Sequence, residues 1–234
     1  MTQFLYRKRK QRTVDVEWPG RPEVQPGQPL QAILNSANMQ GGDIIELGPY
    51  IYNLPKGITI PSYVTLRGVP HKTKLVINFD KDDPQYGPVV TINANARLQD
   101  CIVDLDLTAS GALSGYAFAK DGVAFTTPSE TSSLASAYYN SVVKLTGTRA
   151  RLQNCYIPEG VRRAVVVAVN GGMIVGNEID HDTTNDNAAI YCEDTVQLCV
   201  MSSNICAATA GIISVKTGLD NVVTGNLATL VERA

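Results

Sequence analysis

Residues 96–103 read ARLQDCIV and residues 150–157 read ARLQNCYI, identical at five of eight positions and alike at a sixth, Val103 against Ile157, across 54 residues. The register continues downstream. With Cys101 and Cys155 taken as one position, Asn177, Asn204 and Asn226 fall on it at steps of 22, 27 and 22 residues. Three residues earlier stand Leu98, Leu152, Ile174, Met201 and Val223; two residues later stand Val103, Ile157, Ile179, Cys206 and Ala228. All are apolar or small, and a slip of one residue would scatter them among polar positions, because side chains alternate between the two faces of a strand.

A repeat of this length holding several short strands is what a β-solenoid requires, since each coil stacks on the next at about 4.8 Å and equivalent side chains recur above one another. The runs IIEL, YVTLRGV, KLVINF, VVTINA, CIVDLDL, VVKLTG, AVVVAVN and GIISVK, between residues 44 and 216, are short, β-rich and closed by Gly, Asn, Asp or Pro. Asn suits the repeated turn position: its short amide tolerates left-handed backbone geometry and bonds both the turn and the amide stacked on it. The body, less a polar stretch at 108–140, accommodates six or seven coils and a rod about 30 Å long. Ahead of it, Pro29 and the helical spacing of Leu30, Ile33, Leu34 and Ala37 predict a short capping helix over 29–37, stopped by Gly41 and Gly42. The expected fold class is therefore all-β, with an extended arm at 1–28 broken by Pro19, Pro22 and Pro26, and a solenoid domain at 29–234 carrying a loop insertion near 108–140.

Composition agrees. At 234 residues, 18% charged and 6% aromatic, the chain is neither coiled coil nor disordered, and it has no apolar run long enough to span a membrane. Its N-terminus turns basic before any apolar stretch, which argues against a secretory signal and leads us to expect a protein made without export. The net charge of −2 divides into +5 from Arg7, Lys8, Arg9, Lys10 and Arg12 and −7 from the remainder. A basic arm thus precedes an acidic body, and with Trp18 these residues are candidates for anchoring the chain to an acidic surface or nucleic acid.

Residues 41–69, GGDIIELGPYIYNLPKGITIPSYVTLRGV, resemble the opening coils of the pectin-lyase-like right-handed parallel β-helix superfamily, in which a capping helix leads into a comparable pattern. The Asn ladder is similar too, and the likeness extends over about 29–229. The departure is Gly48-Pro49-Tyr50, where the superfamily places Pro before Gly. The resemblance implies a single-stranded right-handed β-helix. It says little about function, because the superfamily holds lyases, glycosidases, epimerases, phage tailspikes and non-enzymatic virion proteins.

Glycan hydrolysis needs two carboxylates on one face at a set separation. Asp104 and Asp106, two apart in a predicted strand, qualify at roughly 6.5–7 Å, and Asp180 and Asp182 offer a second pair. Against this, polar faces are normal on solenoids. The polygalacturonase-type motifs are absent or scrambled, as Thr184-Asn185-Asp186 and Ser214-Val215-Lys216. A lyase would need a Ca²⁺ carboxylate cluster and a basic residue over a groove; Arg162-Arg163 beside Glu159 reads as a solvated corner. His71 and His181 do not pair, and the five cysteines (101, 155, 192, 199, 206) contain no Cys-x-x-Cys, so neither metal nor cofactor is expected and packing accounts for the thiols.

Two features favour assembly. The last predicted coil has almost nothing after it to cover an open, apolar sheet edge. The 108–140 stretch carries Tyr116, Phe118, Phe125, Tyr138 and Tyr139, rings suited to a flap or an intersubunit contact. Within the resemblance, the expectation is a non-enzymatic structural protein of a bacteriophage virion, a capsid decoration, cement or head-fibre protein anchored by its arm. Such proteins are usually homotrimers of side-by-side rods contacting other virion proteins. The alternatives are a tailspike-type polysaccharide depolymerase, glycosidase or lyase, and a receptor that binds a host surface glycan.

Overall fold

The computed structural model describes residues 23–38, 43–78, 88–106, 141–158, 163–180, 188–206, 212–216 and 218–233. Residues Arg7 to Trp18, the 108–140 insertion and Asp182 lie outside them. Among the described residues one α-helix, α1 (Leu30–Asn38), precedes twenty short strands arranged as seven coils. The first two coils hold β1 (Ile44–Glu46), β2 (Ile51–Leu54), β3 (Ile58–Ile60), β4 (Thr65–Arg67), β5 (Lys74–Asn78) and β6 (Val90–Ile92). The middle coils hold β7 (Arg97–Gln99), β8 (Ile102–Asp106), β9 (Val143–Leu145), β10 (Arg151–Gln153), β11 (Tyr156–Ile157) and β12 (Val165–Val167). The last three hold β13 (Met173–Val175), β14 (Glu178–Ile179), β15 (Ile190–Cys192), β16 (Val200–Ser202), β17 (Ile205–Cys206), β18 (Ile212–Lys216), β19 (Val222–Thr224) and β20 (Thr229–Arg233).

Every third strand joins the same sheet. The first sheet runs β1-β4-β7-β10-β13-β16-β19, the second β2-β5-β8-β11-β14-β17, and the third β3-β6-β9-β12-β15-β18-β20, all by parallel pairing. This is a right-handed parallel β-helix, the hand that twisted strands impose on parallel crossovers. The register read from the sequence holds to the residue: Leu98 pairs with Leu152, Leu152 with Ile174, Ile174 with Met201 and Met201 with Val223.

Leu66, Leu98, Leu152, Ile174 and Met201 form one buried column. Ile60, Ile92, Leu145, Val167 and Cys192 form another. Each fully buried Leu or Ile contributes about 1.5–3 kcal/mol. The central residue of most first-sheet strands points inward and its two neighbours outward, so the short strands bury one side chain apiece.

The front end is closed. Leu30, Leu34 and Ala37, one helical face of α1, are buried against the first coil. Gln31 finishes the sheet edge: its Nε2 donates to the carbonyl of Thr59 at 2.9 Å, and its Oε1 accepts from the Thr59 N–H at 2.7 Å. One amide side chain thereby replaces a missing strand. Beside it, Val24 bridges to Leu47 as a parallel extra rung, its N–H donating to the Glu46 carbonyl at 3.1 Å. The Tyr52 hydroxyl accepts from the Gly48 N–H at 2.9 Å and donates to the Val24 carbonyl at 2.6 Å. Among the described residues no helix is long and apolar enough to cross a membrane.

Candidate functional site

Each later coil leaves the first sheet through one residue in the left-handed region: Asp100 (φ 60°), Asn154 (φ 51°), Gly176 (φ 68°), Ser203 (φ 57°) and Gly225 (φ 62°). Sequence reasoning assigns that geometry to the ladder asparagines. The structure places it one residue earlier, because the turn bends before the chain enters the second sheet, and so the ladder amides are released for bonding along the rod. Asn177 Oδ1 accepts from the Cys155 N–H at 2.9 Å, Asn204 Oδ1 from the Asn177 N–H at 3.1 Å and Asn226 Oδ1 from the Asn204 N–H at 2.9 Å. Each Nδ2 completes the stack: Asn177 donates to Asn204 Oδ1 at 2.9 Å and Asn204 to Asn226 Oδ1 at 2.8 Å. Cys101 and Cys155 hold the same position higher up, each thiol 3.3 Å from the carbonyl two residues before it. All five cysteines are free and buried. Burial pushes the Cys155 thiol up to about 12, so it is no nucleophile at neutral pH.

Alongside this corner runs a groove of about 330 Å³ bounded by His71, Asp100, Tyr156, Glu178, Ser203 and Ile205. Its floor is a second-sheet column in which Tyr156, Glu178 and Ile205 stack in register. Neither Tyr156 nor Glu178 belongs to a motif in the sequence, although the register alone aligns both with this outward column.

One step along the same sheet lie the candidate carboxylates. The pairings place Asp104, Pro158 and Asp180 in one column, so two coil steps, about 9.6 Å, separate the aspartates along the rod. Asp104 faces outward from β8 yet is only 7% exposed, and Lys74 Nζ lies 2.6 Å from its Oδ2. Asp106 ends β8 at the next same-face position, while Asp180 falls one residue past β14. The Tyr156 hydroxyl donates to Asp180 at 2.9 Å. Burial, then the Asp180 carboxylate, pushes that hydroxyl up to about 12, so it remains a donor at neutral pH. Asp104 and Asp180 are thus each held by a partner, and among the described residues no three of His, Cys, Asp and Glu converge as a metal site.

The first sheet's outer face carries a different pattern. Arg97 pairs directly with Arg151, and Gln99 with Gln153. Directly opposed like charges destabilise a sheet. The repeated ARLQ motif therefore builds a cationic and amide ladder as well as a core column. On the third sheet, Arg163 lies 3.4 Å from the Tyr191 ring centroid and Arg233 lies 4.2 Å from it. Arg163 is thus no solvated corner: its guanidinium stacks on an aromatic face, an attraction electrostatic in origin. Arg233 also bonds Asp194 and the Cys192 carbonyl, tying β20 to the preceding coils.

Comparison with protein-family models finds none that matches, and no curated protein matches either. Two solved structures are similar to the chain. A proposed glycosyl hydrolase from Parabacteroides merdae is 14% identical over 88% of this chain and 83% of its own, with a TM-score of 0.57. Pectin methylesterase from Yersinia enterocolitica is 16% identical over 82% of this chain and 59% of its own, with a TM-score of 0.48. At 14% identity the likeness to the first is one of fold alone, a parallel β-helix.

Proposed function

We propose that the protein is a structural component of a bacteriophage virion, a β-helix of the capsid decoration, cement or head-fibre kind, attached through its basic arm to other virion proteins. The observation that carries this reading is the inequality of the rod's ends. Helix α1, Gln31 and Val24 close the front, whereas the last coil exposes Val222, Leu227, Leu230 and Val231. Exposed apolar edges of this kind are places where another chain adds. The candidate acids add support, since Asp104 and Asp180 are engaged with Lys74 and Tyr156. Replacing Arg7, Lys8, Arg9, Lys10 and Arg12 with Ser should leave a folded β-rich protein that no longer joins purified particles; undiminished incorporation would overturn the anchoring role.

The Arg97–Arg151 and Gln99–Gln153 ladder favours a second reading, glycan binding along the first sheet. Cationic and amide groups repeating at about 4.8 Å suit an acidic polysaccharide laid along the rod. The glycosyl hydrolase similarity is of the same broad class. Binding of polygalacturonate that Arg97→Ser and Arg151→Ser abolish, with no new sugar ends released, would favour a receptor. Release of ends that Asp180→Asn removes would favour a depolymerase.

A further inference from the structure

The last coil has a free strand edge on the third sheet. β20 pairs over all five of its residues with β18, and no described strand lies beyond it. Leu230 continues the inward column of Ile213 yet is 45% exposed; Val231 is 38% exposed and Leu227 is 69% exposed. Outside the described residues, Thr13-Val14-Asp15-Val16-Glu17-Trp18 alternates polar and apolar over six positions, the period of a strand with one buried face. A short chain length separates this segment from the front of its own rod. Val24 is already fixed there, one rung ahead of the first coil.

Geometry decides which copy's end the segment reaches. From Val24 to a rung beyond β20 is eight coil steps, about 38 Å. The six residues from Trp18 to Val24 extend at most about 20–22 Å. The segment therefore falls well short of the rear of its own rod, and only the rear of another copy is within reach. We propose that residues 13–18 of a second copy add as a parallel strand along β20, with Val14, Val16 and Trp18 covering the open core, so that rods join rear to front. The front cap of the incoming copy then abuts the rear of its neighbour. This contact is heterologous: every copy offers one arm and one open edge. The +5 charge immediately before the segment opposes the pairing of one arm with another.

This inference names a partner for the arm and rests on the structural-protein reading. The test uses full-length chains and sedimentation equilibrium. Wild type should exceed its 25.2 kDa monomer mass increasingly with concentration. An arm-blocked variant (Val16→Asp with Trp18→Asp) and an edge-blocked variant (Leu230→Lys with Val231→Lys) should each be monomeric alone. Their mixture should form 1:1 dimers, since one keeps the arm and the other the open edge. A mixture that stays monomeric, or either variant associating like wild type, would overturn the proposal. Trp18 is the single tryptophan of the chain, so wild-type fluorescence gives a reading independent of the folding of either variant. Its emission should shift to the blue as concentration rises, and emission unchanged across the association would equally overturn it. Wild type that stays monomeric at every concentration yet still joins particles would refute this contact while leaving the virion reading standing.

Discussion

The two ends of this rod carry the same strand pattern and end differently. At the front, each class of exposed edge group has a partner: Leu34 fills the open core, Gln31 bonds both polar groups of Thr59, and Val24 adds a rung stapled by Tyr52. At the last coil the inward column continues with Val223, Ala228 and Leu230, but nothing described sits above them. Equal stacking with unequal closure shows that a solenoid's interior repeat does not determine its ends, which need sequence of another kind. The front has that sequence in cis.

The contrast can be broken first at the core. Leu34→Ala, at a fully buried position, should cost about 2–4 kcal/mol in urea unfolding, while Leu230→Ala in the monomer should cost under about 0.5 kcal/mol. The ladder gives the next effect. Asn177→Ala strands the buried Cys155 N–H and the Leu152 carbonyl and should cost about 2–3 kcal/mol; Asn226→Ala, nearer the open end, should cost about half as much. Gln31→Ala should cost about 1–2 kcal/mol and raise association, because it opens a second edge at Thr59. Conversely, Cys155→Asn extends the ladder by one amide toward Cys101 and should add about 0.5–1 kcal/mol.

The smallest effect is at alkaline pH. The folded Tyr156 hydroxyl titrates near 12 against an ordinary 10, so folding favours its protonated form. Its contribution is complete below pH 10 and is lost as pH rises through 12. Tyr156→Phe should flatten that part of the stability profile, which urea unfolding at pH 8 and pH 12 checks.

How far the sequence reached follows from where its repeat is strict. From Leu98 to Val223 every coil shares one apolar column and one ladder position, so coil number, register and the Asn stack were legible. The capping helix was legible from Pro29 and the Leu30–Leu34 spacing. Contacts that join coils through side chains of one kind to another were not. Lys74–Asp104 and Arg163–Tyr191 depend on which outward positions meet after loops of unequal length, and no motif marks them. Gln31 carries no signal either, since its role exists only where the helix end meets the edge of β3. The left-handed residue was placed one position late because Asn satisfies both the turn and the ladder, and only the backbone distinguishes them.

Hydrogen exchange of backbone amides at two protein concentrations tests most directly whether the rear edge is completed by another chain. Amides of Ile58–Ile60 at the capped front should be protected equally in dilute and concentrated samples. Those of Thr229–Arg233 should exchange fast when dilute and slow markedly when concentrated. Amides of Thr229–Arg233 that are already as protected as the front at dilution, or that ignore concentration, would contradict the account.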